Sequence, residues 1–348
     1  MGLPYTEKDI EDLVLKMLSR PRYGYDVINC SVLIGQKVRY PDLTGRSTTR
    51  QCILPQIMEE SLVKINPGIN KAVIAEFVSD LSQDFAGYNT VNANSAFCKI
   101  IRSGIKLSAR QGGKDDGEIV KLVDFDNPDN NTFVAVSQMR VRFNNQTRRP
   151  DIIIFVNGMP LVLVELKKCN QNVLKAYEKN LKVYVHDIPN LFVLNQFCVL
   201  SNILETRVGT FNSPYEQFCK WLSSGASVDM PKPSSLLEIE IILERLLQGL
   251  FQKKCLLDYI ANLANHKPYP TDFEIGCEES ETLDNIDINC LASEEEISSD
   301  YSVEEVVFIM EETELDQELS TNGAPWPNRP HLGLIFKNPI DIVLLWQE

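Results

Sequence analysis

Three charged residues interrupt an otherwise apolar stretch of the chain, and their types and spacing could hydrolyse a phosphodiester. Asp151 precedes an apolar run, and Glu165 and Lys167 stand at the end of the run that follows. Because side chains alternate along a strand, Glu165 and Lys167 project from the same face. A charge in a buried strand pair costs roughly several kcal/mol unless it is paired or metal-bound. The spacing alone is a weak signal, and the apolar surroundings are what favour a site.

Two converging carboxylates and a backbone carbonyl are hard oxygen ligands, which Mg²⁺ prefers. We expect Asp151, Glu165 and the carbonyl oxygen of Leu166 to hold such an ion. Lys167 would then orient and acidify a water molecule and offset the charge that develops on the phosphate. The alternative is purely structural: Glu165 and Lys167 form an ion pair at a strand edge, and Asp151 only begins a strand.

Whether the two carboxylates meet depends on the register of the hairpin between them. Asn157-Gly158 is a strong signal for a two-residue hairpin loop. With that loop alone, Asp151 would lie opposite Val164, on the wrong face of the strand pair. A loop of three residues, or an equivalent bulge, places Asp151 opposite Glu165. We predict this second geometry.

The hydrophobic periodicity predicts a mixed α/β architecture around the hairpin. The predicted helices cover 6–18, 47–62 with a break or kink at Pro55, 69–82, 94–103, 171–186, 214–222 and 235–264. The predicted strands cover 118–125, 132–143, the two halves of the hairpin and 191–201. We therefore expect one α/β domain over 1–222, a mixed central sheet flanked by helices, followed by a helical connector over 223–265.

The net charge of −14 on 348 residues is unevenly distributed. Residues 268–328 contain 18 acidic residues and no Lys or Arg. Residues 1–267 contain 32 basic and 28 acidic residues, so this part is mildly basic. An anionic substrate therefore remains possible, and residues 266–348 are expected to form an acidic, weakly structured tail.

Other composition features exclude several classes of protein. The nine cysteines include no CxxC pair, and the three histidines offer no zinc-ligand spacing. No apolar run approaches the length of a membrane span, and the first residues do not resemble a signal peptide. No GxxxxGK[ST] phosphate-binding loop occurs. We expect a cytoplasmic protein with free thiols, no membrane partner and no ATPase motor in this chain.

The hairpin sequence RRPDIIIFVNGMPLVLVELKK at 148–168 is accompanied by further blocks in a fixed order. They are INPGINKAVIAEFV (65–78), GEIVKLVDFDNPDNNTFVAVSQ (117–138), IPNLFVLNQFCVLSN (188–202), RVGT (207–210), FCKWL (218–222) and LLQGLFQKKCLLDYIANL (246–263). Together they resemble the N-terminal nuclease segment of the R (endonuclease) subunit of type I restriction enzymes, in the PD-(D/E)xK superfamily. The resemblance covers roughly residues 5–265.

The resemblance implies roles for individual residues. Asp151 and Glu165 would bind the metal, and Lys167 would be the catalytic lysine. The family's Gln-x-x-x-Tyr motif on the following helix falls on Asn180 and Tyr184. Asn keeps the amide of Gln but is one methylene shorter, which limits its reach. Alternatively, these two residues are simply i,i+4 neighbours on a helix face.

Four arginines lie beside the hairpin and could contact DNA phosphates. They are Arg140, Arg142, Arg148 and Arg149. A solvated strand edge is an equally ordinary explanation for them.

The resemblance implies a restriction-endonuclease-like fold and Mg²⁺-dependent cleavage of double-stranded DNA. The methyltransferase and specificity subunits would be the protein partners. Full-length members of the family continue into an ATP-dependent translocase, whereas here the resemblance gives way to the acidic segment. A catalytically silent DNA-binding or assembly module is the alternative function.

Overall fold

The computed structural model describes residues 5–37, 39–82, 89–106, 119–221 and 233–263. The predicted acidic tail therefore lies outside the described residues. So does the junction at 222–232, and the division of the chain near residue 222 remains a prediction.

A seven-stranded mixed sheet forms the centre of the molecule, as predicted. In chain order the strands are β1 (Asp26–Asn29), β2 (Ile105–Lys106), β3 (Ile119–Val120), β4 (Phe133–Ser137), β5 (Val141–Phe143), β6 (Gln146–Arg148), β7 (Ile152–Val156), β8 (Met159–Leu166), β9 (Phe197–Ser201), β10 (Thr206–Gly209) and β11 (Cys219–Lys220). The large sheet has the order β1-β4-β7-β8-β9-β10-β11, and β2-β3 and β5-β6 are separate pairs. Only β1-β4 and β8-β9 are parallel in the large sheet.

The described helices are α1 (Glu7–Leu18), α2 (Pro55–Ile65), α3 (Lys71–Leu81), α4 (Thr90–Ser103), α5 (Lys182–Asp187), α6 (Leu236–Phe251) and α7 (Lys253–Leu263). A π-helical turn, Ala176–Leu181, leads into α5. The helix α1 begins after Thr6, whose side chain forms a capping box with Asp9. Pro55 is the first residue of α2 and does not kink it. Proline has no backbone N–H, and in the first turn of a helix that N–H would have no acceptor within the helix.

The two faces of the large sheet belong to different hydrophobic clusters. Ile152, Ile154 and Val164 pack in the cluster that also contains the buried residues of α1, α6 and α7. Ile153, Leu163 and other alternate positions pack in the second cluster, with the π turn and α5. This alternation sets the face for any side chain just beyond the strand ends.

The predicted helical connector packs directly on the first helix and the loop after it. Leu243 and Leu247 of α6 lie in the same buried cluster as the apolar residues of α1. The hydroxyl of Tyr23 donates to Glu244 at 2.8 Å, and that of Tyr25 donates to the Phe251 carbonyl at 2.9 Å. The segment is therefore part of the packed core.

The strand predicted over 118–125 is wrong beyond Ile119–Val120. Asn66 provides the backbone of Lys121 with both hydrogen bonds, accepting from its N–H at 2.8 Å and donating to its carbonyl at 2.9 Å. The carbonyl of Leu122 accepts from Asn157 at 2.9 Å. Side-chain amides thus satisfy a buried apolar segment that has no neighbouring strand.

Further element predictions need correction. The part 47–54 of the predicted helix 47–62 is not helical, and the predicted strand 132–143 is divided into β4 and β5, which lie in different sheets. The strand predicted to begin at 191 begins at Phe197, after a 3₁₀ turn over Pro189–Val193. The helix predicted over 214–222 is a short 3₁₀ turn followed by β11, which pairs with β10. The ring of Phe218 lies so close to Gly209 that a Cβ there would be 2.7 Å from it, so ring packing favours the strand. The predicted helix 171–186 begins only at Leu174 and passes through the π turn into α5, which ends at Asp187.

Two further observations concern membrane-spanning helices and cysteines. Within the described ranges, no helix combines the length and the apolar character that crossing a bilayer requires. Seven cysteines lie in these ranges, and all of them are free thiols.

Candidate active site

A tight turn joins the two strands that carry the three charged residues. Asn157 and Gly158 both have a left-handed backbone, with φ of 50° and 77°, as a two-residue hairpin turn requires. Gly158 lies against α2, where a Cβ would come within 2.7 Å of the Leu54 carbonyl and of Met58. The turn therefore has two residues, so the predicted three-residue loop Asn157-Gly158-Met159 is wrong, and any added residue in the hairpin must lie elsewhere.

The added residue is a bulge in β8. Val156 pairs with Met159, but Ile154 pairs with Val162, so the register shifts by one residue at Leu161. This is the equivalent bulge that the sequence prediction allowed. Continuing the register beyond Ile152 and its partner Val164 places Asp151 opposite Glu165. The two carboxyl groups are close enough for each to affect the pKa of the other.

Asp151 is held in place by two donors, one on β8 and one just after β4. Its Oδ2 accepts the backbone N–H of Leu166 at 2.9 Å, and its Oδ1 accepts the side-chain amide of Gln138 at 3.2 Å. Burial raises the pKa of Asp151 above its usual value, although the Leu166 N–H and the charge of Lys167 oppose this.

Glu165 is fully buried, with 0% of its surface exposed. Its Oε1 accepts from Lys167 at 3.1 Å and also from the amide of Asn180. Its Oε2 has no hydrogen-bond partner in the described part of the chain. Burial, and then the charge of Asp151, hold the pKa of Glu165 well above its usual value. The pair of carboxyl groups therefore has a high affinity for a proton or for another cation.

The ammonium group of Lys167 is hydrogen-bonded to two of the oxygens predicted to bind the metal. Its Nζ donates to Glu165 Oε1 at 3.1 Å and to the Leu166 carbonyl at 3.0 Å. Burial alone would lower the pKa of Lys167, but the charges of Glu165 and Asp151 outweigh burial and raise it. Lys167 is therefore charged and oriented by the acids.

The π turn brings the two predicted supporting residues to Glu165. Asn180 donates to Glu165 Oε1 and also, at 3.2 Å, to the hydroxyl of Tyr184. Burial, and then the charge of Glu165, raise the pKa of Tyr184 far above its usual range. The shorter Asn side chain therefore reaches the acid, and both residues belong to the cluster.

A third carboxylate lies nearby, on α1, which the sequence reasoning did not include. Glu11 is only 5% exposed, and its Oε2 accepts from Gln138 at 2.8 Å. Its Oε1 has no partner among the described residues. Burial raises the pKa of Glu11 to about 7, with Asp151 contributing in the same direction. The sequence feature that could have identified Glu11 is an acidic residue beside the apolar stripe of an amphipathic helix.

The link between Glu11 and Asp151 is Gln138. This residue follows β4 with a left-handed backbone, φ 51°, which is unusual for a side chain of its size. Its amide nitrogen donates to both acids, and its backbone N–H donates to the Asp151 carbonyl at 3.0 Å.

The four predicted arginines do not form one group. Arg148 pairs with Asp187, and Arg142 is exposed, with its Nε donating to the Asn144 carbonyl at 2.9 Å. The other two, Arg140 and Arg149, are half-buried and border a common cleft.

The donor set fits a hard divalent cation. Two adjacent carboxyl groups with raised pKa values, one of them with an unpartnered buried oxygen, favour a cation at this position. Among the described residues, no three His, Cys, Asp or Glu side chains gather closely enough to hold a metal. Further ligands would have to be backbone oxygens, water or substrate.

Comparison with known proteins identifies the family. The family described as type I restriction enzyme R protein N terminus matches residues 4–217, more than half of the chain. The chain is 34% identical over 262 residues to the type I restriction enzyme HindI endonuclease subunit of Haemophilus influenzae. It is 27% identical over 246 residues to a Methanocaldococcus jannaschii protein named "Putative type I restriction enzyme MjaIXP endonuclease subunit".

These matches cover 73% and 65% of this chain, respectively. They cover only 23% of the length of each relative. On the match over residues 4–217 and the 34% identity, the chain belongs to the family of type I restriction enzyme R proteins, of which it carries the N-terminal region.

Proposed function

We propose that this chain is the nuclease part of a type I restriction enzyme and cleaves double-stranded DNA in an Mg²⁺-dependent reaction. The observation that carries the proposal is the convergence of Asp151, Glu165 and Lys167 at the bulged hairpin, with one Glu165 oxygen left unpartnered. A buried cluster of this kind costs stability unless its charges are paired or a cation is bound. A structural ion pair would need only one acid for one lysine.

Asp151 and Glu165 would hold the ion, together with a backbone oxygen at Leu166 and with water. When bound, Mg²⁺ lowers the pKa of a coordinated water and stabilises the charge on the phosphate. Lys167 would then leave the Leu166 carbonyl, which it contacts at 3.0 Å, and donate to the attacking water or the phosphate. No covalent intermediate with the protein is needed.

Asn180 and Tyr184 support this arrangement by fixing one oxygen of Glu165, which leaves the other free to face the ion. Glu11 supports the same region through Gln138, which also orients Asp151. Arginines beside the hairpin would bind the DNA backbone.

By family membership, the methyltransferase and specificity subunits would be the protein partners, in the cytoplasm. The specificity subunit would supply the recognition sequence. The longer members of the family use ATP for translocation, and no phosphate-binding loop for ATP occurs in this sequence.

The test is plasmid nicking. Supercoiled plasmid is incubated with Mg²⁺ and the purified chain, alone and with the methyltransferase and specificity subunits. We expect nicked or linear product from the wild type and roughly 100- to 1000-fold slower cleavage by Lys167→Ala, the scale of losing one group that stabilises developing charge.

Lys168→Ala is the matched control. It removes the neighbouring lysine, whose charge acts on Asp9 of α1, and should cleave at the wild-type rate. If both formats leave the plasmid intact but retard it in a gel, the chain is a silent DNA-binding or assembly module.

A further inference from the structure

A second charged site lies next to the acidic cluster. A cleft that is open to solvent is bordered by Arg140 and Arg149, with Gln138 on its wall. Gln138 also donates to Asp151, and Arg149 lies two residues before Asp151 in the chain. The cleft and the carboxyl groups therefore share a wall.

The two guanidinium groups of this cleft are not neutralised. Neither Arg140 nor Arg149 has a carboxylate partner in the described ranges. Both side chains line the same cleft, so their like charges face a common space. Two like charges held together in a half-buried position repel each other, and an anion between them would remove the repulsion.

The acid that also borders the cleft is already occupied. Asp42 pairs with Arg46 at 2.9 Å, and both side chains are almost fully buried. Arg46 in turn donates to the backbone carbonyl of Arg140 at 3.1 Å. The charge of Asp42 is therefore paired with Arg46, and Arg46 binds the backbone of Arg140 without cancelling the charge of its side chain.

We propose that Arg140 and Arg149 form a phosphate-binding subsite, which holds one phosphate group of the DNA strand that lies at the acidic cluster. The assignment as a DNA contact rests on the proposed function. Guanidinium groups bind phosphate oxygens with paired, charge-assisted hydrogen bonds. The phosphate could be an internal phosphodiester or the terminal phosphate of a strand, and the two sources are separated below.

The first experiment maps the contact by removing single phosphate charges. Duplexes with one neutral methylphosphonate at successive positions are bound to the full chain, with Lys167→Ala in every protein to prevent cleavage. We expect roughly tenfold or greater weakening at one backbone position, on the scale of a charge-assisted hydrogen bond. Arg149→Gln should abolish the penalty at this position alone.

Arg142→Gln and Arg148→Gln are the matched controls. They lie on the same hairpin flank but outside the cleft, so they should keep the penalty at that position. An Arg149→Gln profile identical to that of its parent overturns the proposal. A penalty seen only at a 5′-terminal phosphate retains the phosphate subsite and assigns it to strand ends instead of internal phosphodiesters.

The second experiment needs no DNA. Inorganic phosphate is compared with chloride at equal ionic strength, and the melting temperature of the full chain is measured. Phosphate should raise the melting temperature of the unsubstituted chain and of Arg142→Gln, but not that of Arg149→Gln. Equal shifts in all three proteins, or none in any, contradict the subsite.

These readouts separate the subsite from the proposed function. If the chain cleaves DNA but Arg149→Gln changes neither the methylphosphonate profile nor the phosphate shift, only the subsite fails. If the chain never cleaves but both signals depend on Arg149, the nuclease proposal fails and the subsite stands.

Discussion

The two ends of the β7-β8 hairpin both bury polar side chains, but they satisfy them differently. At the turn end, Asn157 is 0% exposed, and its side chain accepts the Thr132 N–H at 2.8 Å. The same side chain donates to the Leu122 carbonyl at 2.9 Å and to Asn131 at 2.8 Å. Asn157 thus joins the hairpin turn to two other segments, at Leu122 and at Asn131-Thr132, with neutral hydrogen bonds.

At the open end, the buried groups are charged, and they are incompletely paired. Glu165 keeps one oxygen without a partner in the described part of the chain, and so does Glu11. The pKa values of Glu165 and Asp151 are both raised, with burial as the main cause. This end is therefore less stable than its packing would allow.

The two ends therefore differ in role. The paired buried amide of the turn end stabilises the fold, whereas the unpaired groups of the open end are suited to binding. A fully paired buried amide specifies one arrangement of the chain. An unpaired buried carboxylate is costly and is retained where a cation or substrate completes it. Substitutions at the two ends should therefore have opposite consequences for stability and activity.

The largest expected effect comes from Glu165→Gln. This change keeps the shape but removes the charge, so cleavage should fall roughly 100- to 1000-fold. The metal-free free energy of unfolding should not decrease. Because the folded pKa of Glu165 is raised, wild-type stability is lost as the pH rises above the usual carboxyl pKa through the raised value, and the variant lacks this loss. Plasmid cleavage and urea unfolding, measured against pH, check both statements.

Glu205→Gln is the control for Glu165→Gln. Glu205 forms a partly exposed pair with Arg207 at 2.7 Å, worth at most about 1 kcal/mol. It should retain full cleavage. Wild-type activity in Glu165→Gln, or a loss of several kcal/mol of stability, would remove the distinction between the two ends.

The next effect is on stability alone, at the turn end. Asn157→Ala leaves the Leu122 carbonyl and the Thr132 N–H without partners and places Ala at φ 50°. The free energy of unfolding should fall by about 3–7 kcal/mol, from roughly 1–3 kcal/mol for each of the two unpaired buried groups and about 1 kcal/mol of backbone strain. Urea unfolding measures it.

Asn144→Ala separates the backbone cost from the buried hydrogen bonds. Asn144 has nearly the same backbone, φ 48°, but is exposed in the turn between β5 and β6. It should cost only about 1 kcal/mol, the strain of a left-handed residue with a Cβ. Equal losses in the two variants would show that the Asn157 side chain contributes little.

The smallest expected effect is at Glu11. Its folded pKa is about 7, so the folded state binds a proton more tightly than the unfolded chain does. Stability is therefore full below the usual carboxyl pKa and falls as the pH rises to about 7. Glu11→Gln should match the wild type near pH 4 and exceed it above pH 7 by about 1–2 kcal/mol, after allowance for solvent screening.

The comparison for Glu11 is Glu60→Gln, an exposed position of α2. It should change stability by less than about 0.5 kcal/mol at either pH. If Glu11→Gln is no more stable than the wild type at high pH, Glu11 is not a strained acid and its link to Asp151 is incidental.

The hairpin and its charged residues were predictable because the signals are local. Asn157-Gly158 specifies a two-residue turn, the flanking apolar runs specify buried strands, and Glu165 and Lys167 share a face by their spacing. The family resemblance added Asn180 and Tyr184, which the structure places against Glu165.

The failed predictions lie where packing overrides local pattern. Leu122 and Val123 are as apolar and as buried as the residues of a core strand. The backbone of this segment is nevertheless hydrogen-bonded by asparagine side chains and not by a neighbouring strand. The segment 214–222 was predicted to be helical, yet Cys219–Lys220 within it pair with the edge of β10 as β11. In both places a partner distant in sequence decided the conformation.

The sequence alone determined the type of fold, the hairpin and the chemistry of its three charged residues, since these depend on residues within one or two strand lengths. Only the tertiary structure decided which groups join them. A one-residue bulge at Leu161 sets Asp151 opposite Glu165, α1 contributes Glu11, and packing divides the arginines into paired and unpaired classes. The hydrophobic periodicity of the sequence does not predict these features, because a single bulge and contacts between distant segments depend on how the elements pack together.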